Sequence, residues 1–128
     1  MAEKWGTYLM KNNLFEHSNS SFGENLYQTR SSTLDKAKLV KKAVKAWYNE
    51  IQVYDFEKSE FTASAGHFTA LVWKETKRMG VAVISKPPKN SRSKTRSIVV
   101  CAYDPPGNQV DGFAANVLPP NDLLKQMK

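Results

Sequence analysis

Apolar residues recur at helical spacing in two stretches of the chain. Near its start, Ala2, Trp5, Tyr8, Leu9 and Phe15 alternate with Lys4 and Lys11, the pattern of an amphipathic helix that ends before His17. A longer stripe of Ala37, Val40, Ala43, Val44, Trp47 and Ile51 predicts a second helix. Thr33 is its expected cap, and Lys38, Lys41, Lys42 and Lys45 form its opposite face. Residues 18–33, rich in Ser, Asn, Thr and Gly, read as a loop broken by the short cluster Gly23-Glu24-Asn25-Leu26-Tyr27. Phe68, Leu71 and Val72 share a face, so Gly66 to Trp73 reads as one or two helical turns. Met79 to Ile84 then reads as a buried strand and Arg96 to Tyr103 as a second. The polar, proline-bearing stretch from Lys86 to Thr95 joins them as a hairpin-type loop. Asp104-Pro105-Pro106-Gly107-Asn108 forms a turn, and the end of the chain beyond Asn116 reads as a fraying tail. Helices flanking a small sheet make an α+β domain, or more closely a three-layer α-β-α arrangement. No repeat or linker interrupts it, so residues 1–120 are expected to form one domain and 121–128 a tail.

Composition narrows this picture. A chain of 128 residues, 41% hydrophobic, suits a single domain that buries roughly two thirds of the surface its unfolded form exposes. Nineteen Lys and Arg against twelve Asp and Glu leave a net charge of +7, which favours anionic surfaces such as membranes, nucleic acid or acidic polymers. Lys86, Lys89, Arg92, Lys94 and Arg96 concentrate charge in the hairpin loop and are the candidate ligand-binding cations, although a solvated loop has the same composition. The lysine stripe of the long helix is likewise either a solvated face or a contact for anionic lipid. Trp47 and Trp73 lie among apolar helix positions rather than in the basic loop, so nucleic acid is not an expected partner. The single cysteine, Cys101, excludes an intrachain disulfide and a cysteine-based zinc finger. Its apolar neighbours favour a buried, inert thiol. The longest apolar run, Ile98 to Tyr103, is too short to span a bilayer, and the start of the chain reads as lacking an export signal and a myristoylation pattern.

Candidate chemistry rests on two histidines. His17 and His67 stand fifty positions apart without a His-Glu-x-x-His arrangement. With carboxylates such as Glu24 and Glu50 they would supply a divalent-metal set, yet the spacing does not demand it, and two unrelated, hydrogen-bonded histidines are the more common outcome. Ser64 and Thr69 lie near His67 in sequence, but no nucleophile elbow presents either one.

Longer motifs add a family resemblance. Gly66-His67-Phe68-Thr69-Ala70-Leu71-Val72-Trp73-Lys74-Glu75-Thr76, followed by Met79-Gly80-Val81, resembles the first signature of the CAP superfamily of cysteine-rich secretory, antigen 5 and pathogenesis-related proteins. Val99-Val100-Cys101-Ala102-Tyr103-Asp104-Pro105-Pro106-Gly107-Asn108 resembles the second signature, and His17 ahead of Gly23-Glu24-Asn25-Leu26 is similar to the family's histidine and GENL segment. Asn116-Val117-Leu118-Pro119-Pro120 is most similar to the Golgi-associated plant-pathogenesis-related subgroup.

The resemblance implies an α-β-α sandwich in which His17, Glu24, Glu50 and His67 meet at the floor of a cleft, Glu50 being placed by Ala46-Trp47-Tyr48-Asn49-Glu50-Ile51. It also implies that zinc or another divalent cation binds there in some members. The carboxylates would ligate directly, ligate through water, or orient the imidazole N–H groups, or else brace a metal-free cleft. The implied function is non-enzymatic association with lipid, either sterol or acidic phospholipid. The alternatives are a metal-dependent hydrolase or protease with Glu24 or Glu50 as general base, and a secreted signalling or defence protein. An extracellular location follows from the resemblance, with an intracellular, Golgi or membrane-associated one as the alternative. Departures are also visible. Ala102 replaces a usually polar residue, Cys101 lacks its usual partner, and the chain starts at what resembles the family's second helix. An incomplete layer with exposed apolar surface is the resulting expectation, and with it either marginal stability or filling of the gap by another chain, as in a homodimer.

Overall fold

The computed structural model describes residues 1–32, 35–86 and 94–120. Helix α1 (Ala2–Lys11) leads to strand β1 (Gly23–Ser31) and helix α2 (Lys36–Tyr48). Two 3-10 turns, Asn49–Val53 and Ala63–Ala65, precede helix α3 (Gly66–Val72), strands β2 (Arg78–Lys86) and β3 (Thr95–Asp104), and the short helix α4 (Phe113–Asn116). The antiparallel sheet has the order β1-β3-β2, so β3 is central and every one of its residues except Arg96 and Asp104 is buried.

The two-residue period of a strand divides β3 between two cores. Ile98, Val100 and Ala102 pack with Leu26 against Ala2, Leu9 and Met10 of α1. Val99, Cys101 and Tyr103 pack against Leu39, Ala43 and Trp47 of α2 and Ala70 of α3. This is the three-layer α-β-α arrangement. A third cluster, Tyr54, Ala65, Phe68, Trp73, Phe113 and Val117, fixes α3 from the side away from the sheet. Gly6 lets α1 approach closely, because a Cβ there would stand 2.7 Å from Ile84 Cγ1.

Several expectations are corrected. Residues 23–31 are not loop but the edge strand β1, whose outer half alternates half-buried and exposed positions and therefore carries polar residues. The first helix stops at Lys11, leaving Phe15 exposed beyond it. Asp35 caps α2 by accepting from the Lys38 N–H, whereas the expected cap Thr33 lies outside the described residues. Strand β2 is not buried: as an edge it leaves Met79 58% and Val81 48% exposed. The central part of the basic loop, residues 87–93, and the tail 121–128 lie outside the described residues. Among the described residues no helix is long and apolar enough to cross a membrane.

Candidate functional site

Four elements converge on one small cleft. His17 sits in the loop after α1, Glu24 on β1, Glu50 in the 3-10 turn that ends α2, and His67 in the first turn of α3. His17 Nδ1 lies 2.9 Å from Glu24 Oε1, which also accepts the Ser18 N–H at 2.9 Å, while Glu24 Oε2 accepts the Ser18 hydroxyl at 2.6 Å. His67 Nδ1 lies 2.9 Å from Glu50 Oε2, and the Phe68 N–H donates to Glu50 Oε1 at 3.0 Å. A carboxylate can only accept, so Nδ1 is the donor in each pair, and in the neutral ring Nε2 is the atom that holds the lone pair. Neither Nε2 has a hydrogen-bond partner among the described residues.

The two pairs differ in exposure. The His17 side chain is 62% exposed over a Glu24 side chain that is 5% exposed, so the ring lies at the surface and its brace beneath it. His67 is more enclosed, with the Trp47 ring stacked on it at a centroid distance of 6.3 Å. His17, Glu24 and His67 line a cavity of about 190 Å³ together with Asn25, Phe61 and Asn108, and Glu50 is joined to it through His67.

The structure places the four residues named by the resemblance as two carboxylate-imidazole pairs. Both oxygens of each carboxylate are already engaged, and among the described residues no group of three or more His, Cys, Asp or Glu side chains is placed to hold a metal. What the site offers a cation is two imidazole nitrogens, with the carboxylates behind them in the orienting role.

Further residues build the cleft without having been singled out. Buried Asn25 donates from Nδ2 to the His67 carbonyl and to Tyr103 Oη, both at 3.0 Å, tying β1 to α3 and β3. Asn108 adopts the left-handed conformation at φ 56°, donates to the Gly66 carbonyl at 3.0 Å and accepts the Thr69 hydroxyl at 2.6 Å. Their sequence signal was position alone: Ser18 adjoins His17, Asn25 lies in the Gly23-Glu24-Asn25-Leu26 segment, and Asn108 ends the stretch that resembles the second signature. Thr69 is fully buried and bonded, and the structure records no contact between Ser64 and His67. Cys101 is buried between the sheet and α2. Burial pushes its thiol up to about 11, opposed in part by the Tyr103 hydroxyl beside it.

The basic loop divides. Lys86 and Lys94 are exposed at its two ends, while Lys89 and Arg92 lie outside the described residues. Arg96 is not a free loop cation, because β3 extends past it. Its guanidinium donates to the Leu14 carbonyl at 2.9 Å, Gln28 Oε1 at 3.1 Å and Asn13 Oδ1 at 3.4 Å, pinning the segment after α1 to the sheet. On α2, Lys36, Lys38, Lys41, Lys42 and Lys45 are all exposed, and no lysine among the described residues is in an ion pair.

A three-stranded antiparallel sheet between helical layers, with two carboxylate-braced imidazoles across a surface cleft, defines the CAP type of α+β domain. Residues 1–103 match the CAP, cysteine-rich secretory protein family, and the chain belongs to that family. It is 39% identical to human Golgi-associated plant pathogenesis-related protein 1 over 93% of this chain and 74% of that protein. It is 33% identical to pathogenesis-related protein 1B of Nicotiana tabacum over 73% of this chain, which spans 51% of that relative's length. Among solved structures, that of BmVAL-1 superposes with a TM-score of 0.58 at 21% identity, covering 85% of this chain and 56% of that one.

Proposed function

We propose that the chain is a non-enzymatic binding module that associates with anionic lipid surfaces through the lysine face of α2. The observation that carries this reading is the exposure of Lys36, Lys38, Lys41, Lys42 and Lys45 without an ion-pair partner among the described residues. Each lysine brought near an anionic leaflet contributes about 1 kcal/mol, so a face of this kind gives salt-sensitive, reversible attachment. Lys86 and Lys94 extend the basic surface at the ends of the loop. A Golgi or other membrane-associated location fits both the charge and the name of the human relative, and secretion is the alternative. Co-sedimentation with vesicles tests the reading: phosphatidylserine-containing vesicles retain the protein at low salt and phosphatidylcholine vesicles do not. Equal retention on both would overturn it, and retention only when cholesterol is added would reassign the ligand to a sterol.

A second reading concerns the cleft. Its two unpartnered Nε2 atoms suit a divalent cation of borderline softness such as zinc, held by His17 and His67 with Glu24 and Glu50 orienting the rings. A bound cation would supply a Lewis acid. The chain's own residues favour holding over hydrolysis, since both carboxylates have both oxygens engaged and the Thr69 hydroxyl is locked to Asn108. Isothermal titration with zinc should show one site that is lost in His67→Ala and weakened at least about tenfold in His17→Ala. Unchanged binding in the double variant would place the metal elsewhere or nowhere specific.

A further inference from the structure

Strand β2 is an open edge of unusual composition. Among the described residues it pairs only with β3, and between Arg78 and Lys86 its seven residues, Met79 to Ser85, include neither a charge nor a proline. Edge strands are ordinarily protected by such residues, because their outward N–H and C=O groups otherwise template another strand. The opposite edge is protected: β1 carries Glu24 and Arg30, and Trp47 Nε1 donates to its Leu26 carbonyl at 3.2 Å. No side chain among the described residues bonds to the β2 backbone.

The space beside β2 is a slot between the helical layers. A cavity of about 660 Å³ runs along Val81–Ile84, walled by Glu3 of α1 on one side and by Lys36, Val40 and Lys41 of α2 on the other. A separate cavity of about 430 Å³ lies at the other end of the strand, at Arg78–Gly80, where Met1 and Phe22 are exposed. Ala82 and Ile84 turn toward the α1 core and Val83 toward the α2 core, so a strand laid on β2 would present alternate side chains to an apolar layer and to the lysines of α2.

We propose that this edge accepts an extended acidic segment of a partner protein as a fourth strand. Charge selects the occupant. Lys36 and Lys41 line the slot against the single lining acid Glu3, Lys86 ends the strand, and Arg78 is already paired with Asp104. A second copy is disfavoured on the same ground: two-fold antiparallel pairing centred on Ala82 sets Arg78 opposite Lys86, between chains that each carry +7. Backbone hydrogen bonds supply the affinity in this mode and alternate side chains the specificity.

The test uses a fluorescent peptide of about eight residues, matched to the length of β2, that alternates valine with glutamate. It should bind and slow amide hydrogen exchange along Met79–Ser85. A valine-lysine peptide and a backbone N-methylated valine-glutamate peptide should each bind at least about tenfold more weakly. Val81→Glu, an exposed site where folding is checked by circular dichroism, should weaken binding similarly by setting like charge against the glutamates, as should Lys36→Glu with Lys41→Glu. Equal affinity for the lysine or N-methylated peptide, or binding without protection of β2, would overturn the proposal. Concentration-dependent protection of β2 in the absence of peptide would assign the edge to a second copy instead. Since the readout is at β2 and uses no vesicle, its failure is separable from failure of the lipid reading.

Discussion

At the scale of single residues, the cleft is held by groups whose importance lies in what they accept and donate rather than in their type. Asn25 is the clearest case, because one buried amide satisfies both the His67 carbonyl and Tyr103 Oη. Truncation in Asn25→Ala leaves both without that donor, and the expected cost is about 1–3 kcal/mol, read by urea denaturation. A loss well under this range would mean that water replaces the amide freely. Cys101 gives a pH-dependent counterpart. Its thiol stays protonated up to about 11 in the folded protein, above the ordinary value of 9.0. The folded state therefore binds this proton more tightly than the unfolded one. The stabilisation is complete below the ordinary value and is lost as pH rises toward about 11. Folded protein should accordingly resist thiol reagents at pH 8, with full reaction only on unfolding, and rapid labelling of native protein would contradict this burial. The histidines and Glu24 were legible because they sit inside motifs. Asn25 and Asn108 sit inside the same motifs, but their roles and that of Ser18 were not legible, since their hydrogen bonds join residues that only the tertiary fold brings together.

At the scale of elements, legibility followed burial. Strand β3 was readable because both its faces are covered, which makes Ile98 to Tyr103 an unbroken apolar run. Strand β1 was read as loop because an edge with an exposed outer half tolerates Gln28, Arg30 and Ser31. Strand β2 was read as buried because Val81, Val83 and Ile84 look the same in a central and an edge position. The contact between α1 and the sheet offers a direct check of packing. Gly6→Ala would gain about 1 kcal/mol of helix propensity but drive a methyl to 2.7 Å from Ile84 Cγ1 and 3.3 Å from Val100 Cγ2. Overpacking of this kind costs about 1–3 kcal/mol, so the net change measured by chemical denaturation should be a loss. A stabilised variant would show that α1 rides farther from β2. Arg96 belongs at this scale too: expected as a free cation, it instead fastens Leu14 and Gln28 to the sheet, a role set by the extent of β3 rather than by loop composition.

At the scale of the molecule, a charge of +7 that first belonged to no particular surface resolves into the exposed lysines of α2, with Lys86 and Lys94 at the loop ends. The fold turns that face outward by burying Leu39, Ala43 and Trp47 on the opposite side of the same helix. Helix α2 thus carries the lysine face and leads directly into the turn that supplies Glu50 to the cleft. Exposed charges act over roughly 10 Å at 0.1 M salt, so attachment by this face should weaken steeply as salt rises. The most direct test compares retention on phosphatidylserine-containing vesicles for the wild-type chain and for the triple variant Lys38→Glu, Lys42→Glu and Lys45→Glu, with folding checked by circular dichroism. The account predicts salt-sensitive retention of the wild type and its loss in the variant; undiminished retention of a folded variant would contradict it.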